Sequence, residues 1–364
     1  MSQHLDNDSF TPVLHICPTI ESRPSVSLAS RTRGDRLASV STNGQEPVAE
    51  TRDHLTAVAR MYYLDGMAQS EIADLYQISR STVSRMLSAA RDQGIVRISI
   101  DAYEPRCTDL EEELTSTFGL QRAIVIRSIP GQVVATRREI AHHASAIVGG
   151  WIPRGKRVGV TGGRTLGEVI RGIPHSFERE GIGIYQLMGA VATTPGINEP
   201  GEITRALGNR LNGKVHMLNV PAYVSDQVAQ ATMARHDQVQ AMWRMFERLH
   251  MAFVGIGSIE NSMFVEHGVT GRPIQRELKS HGAVAEVCGR FIDANGVEVD
   301  HPLRNRVMSI ELDVLKSIPD VVAVTSGTGR GAAVHAALKS KLVKSLVLDS
   351  VGAESVLELA RTRS

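Results

Sequence analysis

At residue 52 the distribution of apolar side chains changes abruptly, from an unpatterned stretch to positions that recur three and four residues apart. Leu55, Val58, Ala59, Tyr62 and Tyr63 follow that spacing, so residues 53–65 are predicted to form an amphipathic helix that Gly66 stops. A second helix over 69–76 turns Ile72, Ala73 and Leu75 inward. Gln77, Ile78 and Ser79 then make a tight turn into a third helix from Arg80. The Ser79 hydroxyl is suited to cap that helix by accepting from an amide of its first turn. Val83, Met86, Leu87 and Ala90 share the face that meets the other helices, Gly94 closes the helix, and the run at 95–100 predicts a wing strand. Residues 51–103 therefore read as a winged helix-turn-helix.

A connector follows over 104–120, with Leu110, Leu114 and Phe118 at i, i+4 and i+8; it is expected as a helix linking two domains. Within 121–364, apolar runs at 123–126, 157–161, 183–188, 215–220, 251–257, 284–288, 308–312, 321–326 and 345–349 alternate with helical stretches. These runs are continuous in hydrophobicity and rich in β-branched residues, which predicts a parallel sheet covered on both faces. The fold class is α/β, a small winged helix-turn-helix followed by a larger Rossmann-like domain. Ahead of both, residues 1–50 hold eight serines, four threonines and four prolines without apolar periodicity, so a disordered arm is expected.

Composition narrows the classes of function. Apolar residues make up 42% and charged residues 22%, ordinary values for a globular protein, and no apolar run approaches the ~20 residues of a membrane span. No partnership with a membrane is expected, and the opening residues lack the basic start and apolar stretch of a secretory signal, which points to the cytoplasm. Cys17, Cys107 and Cys288 lie far apart, so neither a disulfide framework nor a cysteine zinc site is expected. His142 and His143 are adjacent and face different sides of a helix, with no carboxylate or thiol at i+3 or i+4; no metal and no cofactor are predicted.

Forty Lys and Arg against 39 Asp and Glu leave a net charge of +1, so binding to nucleic acid must rest on local segregation of charge. Residues 77–97 supply it, with Arg80, Arg85, Arg91 and Arg97 against Asp92 alone. On the third helix Arg80, Ser81, Thr82, Ser84 and Arg85 lie opposite the apolar face, near the end that a helix-turn-helix inserts into the major groove of duplex DNA. Arginine suits bidentate contact with guanine, and Gln69 and Ser70 at the start of the preceding helix are placed to touch phosphate. The competing reading is a small helical docking module. Aromatics at 4% are too scarce for a base-stacking platform on single strands.

Several blocks, SEIADLYQISRSTVSRMLSAARDQGIVRISI, GVTGGRTLGEVI, FVGIGSIE, GAVAEVCGRFIDANG and IPDVVAVTSGTGRGAAVHAAL among them, occur in the order of one family. Over about residues 52–362 the chain resembles the SorC family of bacterial sugar-binding transcriptional regulators, relatives of the DeoR group. That resemblance implies operator DNA as partner, a sugar, polyol or phosphosugar as effector, a homodimer or homotetramer, and a domain similar to sugar-phosphate isomerases and deaminases. Three departures stand out: Gly162 where many members carry Trp, Thr325-Ser326-Gly327 where an Ala-Gly-Gly triplet is usual, and Arg330 where Lys often follows. The last keeps the charge but exchanges a point donor for a planar fork.

Two strand-to-helix turns are the candidate effector site. Gly162 and Gly163 bring backbone amides near an anion, and Arg164 and Thr165 add donors at a helix start; the plain alternative is a turn whose glycines serve geometry alone. The second turn holds Ser326, Gly327 and Arg330, and ligands collect at the carboxyl ends of parallel strands. Glu286 and, less directly, Gln186 are candidate acceptors for sugar hydroxyls, against a salt bridge from Glu286 to Arg290. A dinucleotide reading, with Asp349 as the ribose acid, lacks the further βαβ units it needs. The rival class is a sugar-phosphate isomerase or deaminase, with Glu260 as its acid or base and the DNA-binding part an appendage; no paired carboxylates or Asp-His couple support it. A regulator controlling carbohydrate or polyol catabolism, most simply a repressor, is the reading the sequence favours.

Overall fold

The computed structural model describes residues 51–96, 104–175, 181–194, 196–327 and 329–362. The chain divides into two compact units between Tyr103 and Glu104. The arm expected over 1–50 and positions 97–100 of the expected wing lie outside the described residues, while Ile95 and Val96 rest half-buried against the helices.

In the first unit α1 (Arg52–Tyr63), α2 (Gln69–Tyr76) and α3 (Arg80–Asp92) close around Leu55, Val58, Ala59, Ile72, Ala73, Val83, Met86, Leu87 and Ala90. Gln77, left-handed at φ 54°, turns the chain sharply after α2, and Ser79 Oγ accepts from the Thr82 amide at 3.1 Å to start α3. Leu75 departs from expectation at 60% exposed. Ile72, Ala73 and Tyr76 define the inward face of this short helix, and at 3.6 residues per turn Leu75 points about 110° away from its centre.

The second unit begins with α4 (Thr108–Phe118), which the sequence suggested as a linker. Its Leu114 and Phe118 instead belong to the unit's own core, and buried Glu111 accepts from the Val125 amide and pairs with Arg106. An apolar stripe of this kind needs a surface to cover, and β1 supplies it.

Ten strands are described: β1 (Arg122–Ile126), β2 (Arg157–Val160), β3 (Gly183–Gln186), β4 (Lys214–His216), β5 (Met251–Val254), β6 (Gly257–Ser258), β7 (Ala283–Val287), β8 (Arg290–Asp293), β9 (Asp320–Val324) and β10 (Ser345–Asp349). Seven form one sheet in the order β1-β10-β9-β5-β2-β3-β4, and every pairing in it is parallel. Side chains alternate between two cores. Ile124, Ile126, Val158, Val160, Phe253, Val322 and Val347 meet α5 (Val133–Trp151), α6 (Arg164–Gly172) and α7 (Pro200–Leu211). Val125, Ala252, Val254, Val321, Ala323, Leu346 and Leu348 pack on the other side with α4 and, further along the chain, with the helices following β4, β9 and β10. Those are α8 (Gln227–Ala234) and α9 (Asp237–Phe246), then, after α10 (Met263–Glu266), α11 (Arg272–Ser280) and α12 (Leu312–Ser317), the pair α13 (Gly331–Lys339) and α14 (Ser350–Thr362). Covering both faces is what continuous apolar strands require.

Two predicted strands differ. The run at 284–288 leaves the parallel sheet and pairs antiparallel with β6 and β8 in a separate three-stranded sheet. The run at 308–312 is held only by isolated bridges, such as Ser309 to Met188. Hydrophobicity alone marks both as buried without saying what they pair with. Among the described residues, no helix is long and apolar enough to cross a membrane.

Candidate functional site

Strand order locates the site. From β2 the chain runs outward through β3 and β4, and from β5 outward the other way through β9 and β10, so the order reverses between β2 and β5. In open parallel sheets ligands bind beyond the carboxyl ends of the strands at such a reversal. A cleft with about 570 Å³ of empty space, its open mouth included, lies there. It is lined by the turns after β2 (Thr161 to Thr165), β5 (Gly255 to Gly257) and β9 (Thr325 and Arg330).

The glycines of the first turn have distinct tasks. Gly163, at φ 141° and ψ 144°, holds a conformation that side chains rarely adopt. A Cβ on Gly162 would overlap Met263 Sδ and come within 3.0 Å of the Asn198 carbonyl oxygen. Met263 thus occupies the space beside Gly162. Geometry accounts for both glycines, and it leaves the start of α6 facing the cleft.

Three guanidinium groups, of Arg137, Arg164 and Arg330, line the same cleft. Arg164 donates to Asn261 Oδ1 at 2.6 Å and pairs with Glu266 at 2.7 Å. Arg330 donates to the Ser326 carbonyl at 2.9 Å and to the Asn261 carbonyl at 3.3 Å. Arg137 lies in the first turns of α5, the helix after β1, so the parallel topology delivers it to the same end of the sheet. Its Nε is 3.6 Å from Glu168 Oε1, an ion pair too long for a hydrogen bond. The Nε–H groups of Arg137 and Arg330 are both buried with no acceptor among the described residues. Burial, then the charges of Arg164 and Arg137, push the Arg330 pKa down. Crowded cations with unmatched donors suit a multiply charged oxyanion, above all phosphate, which accepts from several forks at once.

Glu286 lines the same cleft. Cys288 and Gly289, left-handed at φ 57° and 76°, form the two-residue turn between β7 and β8 and direct the Gly289 amide onto Glu286 Oε1. The residue is 8% exposed, and burial raises its carboxyl pKa from the usual 4.5 to about 7, a shift opposed by the Gly289 hydrogen bond and by Arg330. Arg290 is not its partner, since it pairs with Glu298 and Glu311. The folded carboxyl keeps its proton to higher pH than the unfolded one. Stability therefore falls as pH climbs from 4.5 to about 7, and is level above. Glu286→Gln keeps the acceptor and removes the titration. Urea unfolding should show the variant gaining on the parent between about pH 4.5 and about pH 7, by at most ~3 kcal/mol. Parallel pH profiles would show that the carboxyl is not held neutral.

Of the predicted effector residues, Gly162, Gly163, Arg164, Thr165, Glu286 and Arg330 line the cleft. Ser326, Gly327 and Gln186 do not. Ser326 is buried behind the turn, its hydroxyl 3.5 Å from Thr165 Oγ1. Gly327 gives its amide to Asp349 and packs on the backbone of Gly352. Gln186 ties β3 to its neighbours, donating to the Met188 carbonyl at 2.7 Å and accepting from the Leu218 amide at 3.1 Å. Asp349, fully buried, accepts from Gly327, Gly352 and Ser128, so it cannot be the ribose acid of a dinucleotide site. Glu260 pairs with Lys279. His143 Nε2 lies 3.1 Å from Glu139, one turn earlier on α5. Sequence reasoning missed Arg137, Asn261, Met263 and Glu266. Arg137 sits in a helix with no turn signature, and the other three lie in a segment brought to the cleft only by the second sheet.

In the first unit α3 exposes Arg80, Ser81, Ser84 and Arg85, while Thr82 is half-buried, its hydroxyl 2.8 Å from Ser79 Oγ and accepting from Arg85 Nη2 at 3.4 Å. Ser70 is exposed and Gln69 half-buried at the start of α2.

Residues 104–358 match the family described as "Putative sugar-binding domain". The transcriptional regulator LsrR of Enterobacter sp. (strain 638) is 28% identical over 319 residues, covering 86% of this chain and 95% of that protein. The sorbitol operon regulator of Klebsiella pneumoniae is 25% identical over 306 residues, covering 84% of this chain and 97% of the relative. The crystal structure of full-length SorC from Klebsiella pneumoniae shares the fold with a TM-score of 0.65 at 24% identity, over 84% of this chain and 98% of that one. With a match spanning most of its length and near-full-length relatives that are transcriptional regulators, this chain belongs to the sugar-binding domain family of such regulators.

Proposed function

We propose that the protein is a sugar-responsive transcriptional repressor that binds operator double-stranded DNA through α3 and is released by a phosphorylated sugar or polyol held in the cleft of its larger unit. One observation carries the ligand class: Arg137, Arg164 and Arg330 line the cleft beyond the strand ends, and the buried Nε–H groups of Arg137 and Arg330 have no acceptor among the described residues. Phosphate answers those donors, and Glu286 in the same cleft accepts from hydroxyls when ionised and donates when protonated. Relatives named as regulators of a sorbitol operon support a carbohydrate or polyol for the remainder of the ligand.

The DNA reading rests on the exposed arginines and hydroxyls of α3 and on the regulators that match nearly the whole chain. A local excess of a few charges on one reader gives weak binding by itself, which favours a homodimer or homotetramer spanning paired half-sites. The test is retardation of promoter fragments flanking its own gene by the purified full chain, titrated with sugars, polyols and their phosphates. Retardation relieved by a phosphorylated compound is expected; fragments ignored with and without every compound would end the reading. Arg85→Ala should weaken operator binding by about 1–3 kcal/mol at fixed salt while leaving effector binding intact. An unaltered footprint would exclude α3 as the reader.

A further inference from the structure

The segment from Asn261 to Glu266 is held over the cleft by the same groups that the proposed function gives to the ligand. Arg164 spends one arm of its fork on Asn261 Oδ1 and another on the Glu266 carboxylate, at 2.6 Å and 2.7 Å. Arg330 reaches the Asn261 carbonyl at 3.3 Å. Met263, one turn before Glu266 on α10, fills the space that Gly162 leaves open. All of these side chains line the cleft.

A carboxylate is the nearest mimic of a phosphate that a protein can supply, since both accept bidentate bonds from a guanidinium. An incoming dianion near Arg164 meets Glu266 as a like charge and as a competitor for the same N–H groups. The Arg164–Glu266 pair is partly exposed, 35% on each side, so exchange with a solvent-borne anion needs no unfolding. From this geometry we infer that Glu266 is an internal stand-in for the effector's anionic group: it sets the affinity of the site, and its displacement frees the 261–266 segment. The inference rests on the anion-site reading above and adds the residue that tunes it.

Inorganic phosphate is the probe, titrated into the full chain by calorimetry. Glu266→Gln, which keeps the shape and removes the charge, should bind phosphate roughly five- to tenfold more tightly than the parent. In the parent, saturating phosphate should speed hydrogen exchange at the amides of Val265 and Thr270, which are bonded to Ser262 Oγ and the Phe264 carbonyl. Unchanged or weaker phosphate binding by Glu266→Gln, beside measurable binding by the parent, overturns this inference and leaves the anion site standing. Slower exchange on binding overturns it as well. Failure of both proteins to bind phosphate overturns the anion site and the inference together.

Discussion

Arg330→Met is expected to abolish most of the affinity for a phosphorylated effector and to leave the empty protein as stable as before, or more so. The methionine keeps an apolar stem in place while the charge goes. What goes with it is a guanidinium whose Nε–H is buried without an acceptor among the described residues and whose pKa is pushed down by burial and then by the charges of Arg164 and Arg137. In the ligand-free protein that group is a liability, because desolvation and repulsion are set, among the described residues, against hydrogen bonds to the Ser326 and Asn261 carbonyls and a marginal one to Ser326 Oγ at 3.4 Å. With a dianion present the balance reverses, and losing one fork from a buried anion contact costs about 3 kcal/mol, roughly a hundredfold in affinity. Calorimetry with matched phosphorylated and unphosphorylated sugars distinguishes the roles. A loss confined to the phosphorylated compound is expected, and equal losses would reject Arg330 as a phosphate contact. Arg330→Lys should fall between, since it keeps a charge but not the fork.

The second large effect concerns stability. A Cβ on Gly327 would overlap the Cα of Gly352 and lie 2.7 Å from its nitrogen, so the obstruction is backbone, which cannot rotate away. The turn after β9 is pressed onto the start of α14, and Asp349 bonds the amides of both glycines. Separating the two segments would strain those bonds and open the core beneath Leu348 and Ala353. Gly327→Ala should therefore destabilise the larger unit by about 3 kcal/mol or more, at the upper end of overpacking costs. Denaturant titration of the full chain checks it; a midpoint within error of the parent would mean that the turn and the start of α14 separate without penalty. Because this glycine does not line the cleft, effector affinity measured on the folded fraction should be unaltered.

Much of this architecture was legible along the chain. Helical spacing at Leu55, Val58 and Ala59, and at Val83, Met86, Leu87 and Ala90, is local information, as is the Ser79 cap, and each element formed where that information put it. Continuous apolar runs announced strands buried on two faces, and glycines after them announced turns into helices. The carboxylate at 286 and the arginines at 164 and 330 were visible because they sit beside such runs or turns.

Tertiary structure alone decided the rest, since it turns on neighbours far apart in sequence. Leu110, Leu114 and Phe118 have the same spacing whether a helix spans two domains or covers β1; only the available partner makes α4 part of the larger core. Likewise Ser326, Gly327 and Arg330 occupy one turn, yet its rotation against α14 sends Arg330 to the cleft and Gly327 into packing. Arg137 carries no local mark and becomes a site residue because α5 starts at the carboxyl edge of the sheet. Residue type and period thus determined most of the helices, strands and turns by themselves, the run at 308–312 excepted. Which side chains share a cleft depended on strand order and on the direction each turn takes, because charge and hydrogen bonding act through distances that only the assembled sheet sets.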